Sequence, residues 1–253
     1  MDLRECILLE ELIFPKYFTS YVEKEYGILF YNKYAKESND SNHAVLYPNK
    51  VQDFSNILKE IKTFYLSKEI TPIIYQPFIN GYFGSKREEF ENQGYKIEYY
   101  GHHPIMVLTD ENTLHTPKRL NIRQLFEWDT RIARDIFIPL GKEYEIEVIK
   151  NSLVNKNNHL FVGYLEDVAV TITYAHVSQY NCTRFDHIVT TDEYRQKGYA
   201  RELLSFVVEY CKENELPTCY QWPAHSTSEK MCYEAGFREL FQIEECCATY
   251  IVT

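Results

Sequence analysis

The spacing of hydrophobic and polar residues predicts the same order of secondary-structure elements in both halves of the chain. In each half, a stretch with apolar residues at helical spacing precedes a short apolar run, as expected for an amphipathic helix followed by a strand. The two pairs lie at residues 51–65 with 72–75 and at residues 200–214 with 218–222. The repeated order predicts an internal duplication.

Each half also ends in the same way. A short helical stretch leads to a glycine followed by an aromatic residue, at residues 94–95 and 236–237. Apolar runs at residues 105–108 and 248–252 follow and predict terminal strands. A glycine at this place suits the left-handed conformation that commonly ends a helix, and the aromatic residue can pack back on that helix.

The second half begins with elements of a different kind. Its pattern predicts a strand, two helices and then three strands joined by short polar turns. These elements are expected at residues 122–126, 129–138, 142–153, 159–165, 168–177 and 183–190. Successive strands with short connections predict an antiparallel meander.

A polar segment separates the two halves. Residues 109–117 end in Pro117 and have the composition of a linker. We therefore expect two domains, at residues 1–110 and 118–253, and a length of 253 residues suffices for both. The predicted fold class is α+β, in which each domain is a mixed, mostly antiparallel sheet flanked by helices.

The composition indicates a foldable chain and limits its partners. Hydrophobic residues make up 45% of the sequence and charged residues 25%, which provides both a core and a solvated surface. The formal net charge of −10 disfavours nucleic acid, because affinity for phosphate backbones depends on Lys and Arg. This charge permits a cationic substrate, although an acidic balance also simply keeps a protein soluble.

Cysteines and histidines show no metal-binding spacing. The seven Cys include no Cys-x-x-Cys pair and the eight His no His-Glu-x-x-His motif, so we expect no metal and reduced thiols. The first residues lack the basic and apolar regions of a signal peptide. No segment approaches the roughly 20 apolar residues of a membrane span. We expect a cytoplasmic protein without a membrane partner.

One turn in the second half has the residues of an anion-binding site. The turn at residues 190–199 connects a predicted strand to a predicted helix, whose N-terminus offers unpaired N–H groups and a partial positive charge. Gly198 lets the backbone approach an anion, and Ala200 keeps the first helical turn small. Positive charge that can reach phosphate oxygens is added by Arg195, Lys197 and Arg201.

The turn resembles the central signature of the GNAT superfamily of N-acetyltransferases, Arg/Gln-x-x-Gly-x-Gly/Ala. Arg195, Gly198 and Ala200 match it, between antiparallel strands and an amphipathic helix followed by a strand. The commoner form has a glycine directly after the arginine, where this chain has Gln196. A generic anion-binding turn in another α/β domain is the alternative.

The resemblance implies acetyl-CoA as cosubstrate and no metal. It implies that the strands at residues 183–190 and 218–222 are parallel neighbours that splay apart around the acetyl group. Backbone pairing with the pantetheine arm is implied for Ile188, Val189 and Thr190. N–H groups for the pyrophosphate are implied at Gln196, Lys197, Gly198, Tyr199, Ala200 and Arg201.

A general acid and one further contact follow from the same resemblance. The family often has a Tyr four residues before the glycine of the second glycine–aromatic pair, and Cys232 holds that position here. Tyr233 is one residue later, roughly 100° around the helix. Both are candidate acids, and a buried, inert Cys232 is the alternative. Ser228 matches a family position that touches CoA, but it also suits a helix N-cap.

Two residues on the strand before the turn are candidate general bases. Asp186 and His187 are expected to face opposite sides of the sheet, because side chains alternate along a strand. Histidine is the residue type best suited to take up a proton near neutral pH. A purely structural role for both residues, with the proton relayed through water, is the alternative.

The first half has no comparable turn between a strand and a helix, so we expect no pyrophosphate site there. Phe90, at the position of the family tyrosine, also argues against catalysis. We interpret this half as a degenerate copy, giving two GNAT-like domains in tandem. An unrelated α+β domain that serves dimerisation, and hence a homodimer, is the alternative.

The predicted function is transfer of an acetyl group from acetyl-CoA to a primary amine, for which the acidic charge favours a cationic acceptor. A catalytically weak module that senses acyl-CoA, suggested by the missing tyrosine, is one alternative. A structural or interaction protein is the other. The variable loops that form acceptor pockets carry no code that identifies the amine.

Overall fold

The structure is a computed structural model that describes residues 1–75, 78–109, 113–114 and 116–251. Its α-helices are α1 (Leu3–Ile13), α2 (Phe54–Leu66), α3 (Tyr82–Ser85), α4 (Arg87–Asn92), α5 (Thr130–Ile132), α6 (Tyr144–Leu153), α7 (Tyr199–Glu213) and α8 (Ser226–Glu234). Its strands are β1 (Ser20–Lys24), β2 (Gly27–Tyr31), β3 (Ala44–Leu46), β4 (Ile73–Tyr75), β5 (Tyr95–Leu108), β6 (Asn121–Leu125), β7 (Asn158–Leu165), β8 (Val168–Val177), β9 (Thr183–Thr190), β10 (Cys219–Gln221) and β11 (Phe237–Tyr250). None of the helices in the described ranges is long and apolar enough to cross a membrane.

These elements group into two compact units. The C-terminal unit contains Met1–Glu10 and Pro104–Gln242, and the N-terminal unit contains Glu11–His103 and Ile243–Thr253. Since α1, β5 and β11 have residues in both units, this grouping does not test a single boundary near residues 110–118, which stays a prediction. Residues 110–112 and 115 of the predicted linker lie outside the described residues.

The C-terminal unit contains the predicted antiparallel meander. β6 pairs with β7, β7 with β8 and β8 with β9, each antiparallel. β10 runs parallel to β9, with Cys219 opposite Thr183. On its other side β10 pairs antiparallel with β5, where Tyr220 lies opposite Val107. The sheet is therefore mixed and mostly antiparallel, and helices flank it, as the sequence predicts.

α7 packs its apolar stripe against this sheet. Its buried side chains recur at helical spacing and include Leu203, Val207 and Cys211. They share a core with Phe161 of β7 and Phe185 of β9. Because only residues 191–198 separate β9 from α7, this packing keeps the start of the helix near the carboxyl end of the strand.

The N-terminal unit repeats this order of elements with shorter strands. β1, β2 and β3 form an antiparallel ladder, β4 runs parallel to β3, and β11 pairs antiparallel with β4. α2 buries Leu58, Ile61 and Tyr65 in the core of this unit. The repeated order of helix, strand, helix and strand predicted from the sequence is confirmed.

Both glycine–aromatic pairs lie where a helix ends and a strand begins. Gly94 and Gly236 have φ angles of 82° and 98°, in the left-handed region that was predicted. The strands that follow, β5 and β11, each have 14 residues, far more than the apolar runs at residues 105–108 and 248–252. Their first parts are partly exposed and carry polar residues, so hydrophobicity did not reveal them. Residue 252 lies outside the described residues.

Replacing Gly27 with alanine is expected to destabilise the N-terminal unit. A Cβ at this first residue of β2 would lie 2.0 Å from the carbonyl oxygen of Val45 on β3, so the backbone must move. We expect Gly27→Ala to lower the free energy of unfolding by roughly 3 kcal/mol. Chemical denaturation followed by circular dichroism measures this change.

Gly84→Ala is the matched control for this substitution. Gly84 lies in α3, and an added Cβ there meets nothing within 4 Å. Because alanine is a better helix former than glycine, we expect no loss and up to ~1 kcal/mol of gain. Equal stability of the two variants would contradict the close packing of β2 on β3.

Candidate functional site

β9 and β10 share only a short ladder. Parallel pairing covers only residues 183–185 of β9 and 219–221 of β10. β9 continues to Thr190, whereas β10 ends at Gln221, two residues before Pro223, which has no N–H to donate to a ladder. Residues 186–190 therefore present a backbone edge that β10 does not pair. The predicted parallel pairing of these two strands is confirmed, and their splay around an acetyl group stays a prediction.

A β-bulge interrupts β9 at the start of this open edge. In the register with β8, His187 and Ile188 together lie opposite Thr173 alone. His187 has a φ of 60°, in the left-handed region that few residues other than glycine adopt. Such a bulge changes the direction in which the following side chains point.

Two buried threonines of β8 bind the backbone on either side of the bulge. The hydroxyl group of Thr171 donates to the carbonyl oxygen of Val189 at 3.0 Å, and that of Thr173 donates to the carbonyl oxygen of Asp186 at 2.8 Å. Both threonines are fully buried. These bonds satisfy carbonyl groups that the irregular ladder would otherwise leave without a donor.

The bulge overturns one expectation from the sequence. Asp186 and His187 were predicted to face opposite sides of the sheet, but both contact Tyr174. The Tyr174 hydroxyl donates to Asp186 Oδ2 at 3.0 Å, and the Tyr174 ring stacks on the His187 imidazole with centroids 6.1 Å apart. Phe185 and Ile188 instead join the core under α7. The prediction is wrong because one extra residue breaks the alternation of the strand.

The turn after β9 leaves the start of α7 without a capping side chain. Gly198 is the N-cap, with a φ of 84°, and Gln196 has a φ of 60°. Left-handed residues in such a turn direct neighbouring N–H groups towards one side, which forms a concave anion site. The first N–H groups of α7, beginning at Tyr199, have no acceptor within their own helix. This backbone arrangement fits a pyrophosphate.

The corresponding helix of the N-terminal unit is closed by its own side chain. Asp53 is the N-cap of α2, and its Oδ1 accepts a hydrogen bond from Asn56 N at 3.1 Å. A carboxylate at this place offsets the partial positive charge of the helix and repels a second anion. The start of α2 therefore does not fit a phosphate.

The predicted phosphate-binding cations around α7 are held by protein partners. Arg195 donates to the carbonyl oxygen of Thr190 at 3.0 Å and so ties the turn to the end of β9. Lys197 lies over an aromatic ring of the same turn. Arg201 pairs with Glu234 at the end of α8. An anion at this turn would therefore meet backbone N–H groups more readily than these side chains.

The predicted helix at residues 129–138 is present but irregular. Asp129 caps α5 by accepting from Arg131 N at 2.9 Å, and Ala133–Phe137 continues as a π-helical turn. Phe137 is fully buried, and its ring centroid lies 5.9 Å from that of the His187 imidazole. Such π-helical turns occur frequently at functional sites.

His187 is paired with Glu145 of α6. The Nε2 atom of His187 lies 2.8 Å from Glu145 Oε2, and Lys142 Nζ lies 2.8 Å from Glu145 Oε1. Burial alone would raise the pKa of the Glu145 carboxyl, but the contacts and charges of His187 and Lys142 outweigh it and lower that pKa to about 2. Glu145 therefore carries a negative charge beside the imidazole. Sequence reasoning missed Glu145, because nothing local links α6 to β9.

The two candidate acids differ in their surroundings. Cys232 is fully buried, its Sγ donates to Gln221 Oε1 at 3.2 Å, and burial raises the pKa of its thiol to about 12. Tyr233 is 39% exposed, and its ring lies 5.8 Å from the Arg238 guanidinium. A thiol that holds its proton this tightly is a poor acid near neutral pH.

Ser228 closes the start of α8 together with His225. His225 is the N-cap, and its Nδ1 accepts from Ser228 N at 3.2 Å. The Ser228 Oγ accepts in return from His225 N at 3.1 Å. Ser228 thus takes part in a capping box, as its third helical residue and not as the N-cap itself.

Residues 186–201 contain three features close together in sequence: the open strand edge, the bulge that carries His187 and the uncapped start of α7. An open edge can pair with an extended chain that carries amide groups, and an uncapped helix start can bind a pyrophosphate. CoA contains both groups in sequence, so these residues fit the cosubstrate that the resemblance implies. Across the part of the chain that the structure describes, no three or more His, Cys, Asp or Glu residues are grouped to hold a metal ion.

Comparison with known protein families assigns the second half of the chain. The model of the Acetyltransferase (GNAT) family matches residues 122–237, which contain β9, the turn and α7. This family implies acyl-CoA-dependent acetyl transfer. No curated protein gives a significant sequence match to the chain.

Solved structures share the fold. A GCN5-related N-acetyltransferase from Kribbella flavida has a TM-score of 0.66 at 11% identity, with 100% of this chain and 97% of that chain covered. A GCN5-related N-acetyltransferase-like protein from Streptococcus suis has a TM-score of 0.55 at 14% identity, with 87% and 82% covered. A tandem GNAT protein from the clavulanic acid biosynthesis pathway has a TM-score of 0.55 at 10% identity, with 83% and 76% covered. Residues 122–237 form a domain of the Acetyltransferase (GNAT) family, and the chain shares its fold with solved GNAT proteins.

Proposed function

We propose that this protein is an N-acetyltransferase that moves an acetyl group from acetyl-CoA directly to a primary amine. The observation that carries the proposal is the uncapped start of α7 behind Gly198, beside the open edge of β9. An acyl-CoA in this position has its phosphates at the helix and its pantetheine arm along the strand. Its thioester then lies near the bulge at His187.

Backbone groups do most of the binding in this proposal. N–H groups from Gln196 to Arg201 bind the pyrophosphate, and the backbone of residues 188–190 pairs with the pantetheine arm. Arg195 keeps the turn in place through its bond to the end of β9. Bound acetyl-CoA supplies an acetyl carbon that forms a bond to the amine nitrogen while the carbon–sulfur bond breaks, which leaves free CoA.

His187 is the proposed base that takes the proton from the amine. The ionised Glu145 carboxylate lies 2.8 Å from Nε2 and favours a proton on that nitrogen, which leaves Nδ1 as the proton acceptor. The rings of Phe137 and Tyr174 fix the plane of the imidazole. Asp186 is a weaker candidate, because Tyr174 and Arg184 already bind its carboxylate.

Neither residue of α8 is needed as the acid in this proposal. Cys232, with a thiol pKa of about 12, gives up its proton less readily than an ordinary thiol of pKa ~8.5. Tyr233 is partly exposed next to Arg238. We therefore propose that the departing CoA thiolate takes its proton from solvent and that Cys232 packs the core.

The proposed acceptor class is a cationic amine, because the net charge of −10 attracts cations.

Release of CoA thiol from acetyl-CoA, measured across polyamines, aminoglycosides, amino acids and peptides, tests the function. Turnover with at least one amine supports it. CoA binding without turnover of any amine would favour the acyl-CoA-sensing alternative. Absence of CoA binding would refute both the transferase and the sensor.

Gly198→Asp is expected to weaken CoA binding. The substitution puts a carboxylate at the anion site and forces a side chain into a φ of 84°, where a Cβ also lies 3.2 Å from Arg119 Nη2. We expect the dissociation constant for CoA, measured by isothermal titration calorimetry, to rise at least ~10-fold.

Gly141→Asp is the matched control for this variant. Gly141 also has a positive φ, of 64°, and a Cβ there meets nothing within 4 Å. The control also puts a side chain at a positive φ and adds the same charge, so its CoA affinity should stay close to that of the wild type. Unchanged affinity in Gly198→Asp would mean that the pyrophosphate binds elsewhere.

His187→Gln is expected to slow catalysis without weakening CoA binding. Loss of a general base lowers kcat by roughly 10²- to 10⁴-fold. Glu145→Gln should lower kcat less, since the imidazole remains but loses its charged partner. Steady-state kinetics with the best amine from the panel measures both variants.

His159→Gln provides the comparison for a histidine outside the proposed site. His159 is half-buried in the C-terminal unit and contacts Gln124 and Tyr210. Its replacement should leave kcat unchanged. A His187→Gln variant that behaves like His159→Gln would refute the assignment of the base.

A further inference from the structure

Arg119 lies directly against the turn that precedes α7. Its Nη2 atom donates to the carbonyl oxygen of Lys197 at 2.6 Å, and its guanidinium lies 4.6 Å from the centroid of the Tyr199 ring. The side chain is 38% exposed. Arg119 precedes β6 and stands outside the signature residues of the turn, so sequence reasoning gave it no role.

A buried carboxylate of α7 holds the backbone of Arg119 in place. Glu202 is 5% exposed, and its Oε1 accepts from the backbone N–H groups of Arg119 and Leu120, each at 2.7 Å. Its Oε2 lies 3.8 Å from Arg119 Nε. The charge of Arg119 therefore offsets a negative charge that would otherwise lie one helical turn from a bound phosphate.

The contact with Lys197 orients the next N–H group. In a planar trans peptide the C=O and N–H bonds point in opposite directions. The peptide that joins Lys197 to Gly198 directs its oxygen to the guanidinium, so the Gly198 N–H points away from Arg119, to the other side of the turn. Because Gly198 has no Cβ, the guanidinium can lie this close, only 3.2 Å from where a Cβ would be.

We propose that Arg119 is a positioning residue of the CoA site. It acts through the Lys197–Gly198 peptide, whose N–H group it directs at the pyrophosphate, and it neutralises Glu202 beneath the site. This inference rests on the proposed function, because it assumes that the turn binds CoA. It adds to the GNAT signature a residue from a separate part of the chain, the segment before β6.

Binding of CoA and of 3′-dephospho-CoA to Arg119→Ala tests the inference. Both ligands contain the pyrophosphate, so loss of the positioned N–H should raise both dissociation constants by the same factor, about tenfold, the scale of one charge-assisted hydrogen bond. Arg119→Lys keeps a cationic donor and should recover part of the loss. The melting temperature of each variant without ligand shows whether it is folded.

Lys118→Ala is the matched control, since it removes the neighbouring cation. Its affinity for CoA and for 3′-dephospho-CoA should equal that of the wild type. Unchanged binding in Arg119→Ala, a loss confined to CoA, or no recovery by Arg119→Lys would overturn the inference. If Arg119→Ala does not fold, Arg119→Gln replaces it with the same expected loss. If the wild-type protein binds neither CoA nor 3′-dephospho-CoA, the proposed function is refuted as well. If the wild type binds them and Arg119→Ala binds them equally well, only the role of Arg119 is refuted.

Discussion

The first N–H groups of α7 have no acceptor within their helix, and the residue that could cap them is a glycine. This lack of a capping side chain is the constraint on which the proposed site depends. Gln196 and Gly198 hold the preceding turn in left-handed conformations, and Arg195 ties that turn to the end of β9. The turn thus leaves the N–H groups at the start of α7 for a ligand or solvent to satisfy.

The two units differ at this point although their elements follow the same order. Asp53 gives α2 the side-chain cap that α7 lacks. A capped helix is stabilised by its own carboxylate, whereas an uncapped one gains the same stabilisation from a bound anion. This local difference is the reason why we assign CoA to only one of the two units.

The sequence was sufficient where short-range pattern determines structure. Segments bounded by short polar turns predicted β8 and β9 with the observed bounds, and Gly198 marked the start of α7. Gln196 stands where the family commonly has a glycine, and its φ of 60° explains this preference, because glycine adopts a positive φ most readily. The rest depended on contacts between distant segments. The bulge at His187 is held by buried threonines of β8, and the partner of His187 comes from α6, neither of which any local pattern shows.

We expect one CoA site per chain, and the stoichiometry of CoA binding tests this expectation. Isothermal titration calorimetry of the wild-type protein should give one CoA per chain, because α7 is open and α2 is closed by Asp53. Removal of that cap by Asp53→Ala should leave the stoichiometry at one, since α2 lacks the left-handed turn that precedes α7. Two CoA molecules per wild-type chain, or none, would contradict a single site at the start of α7.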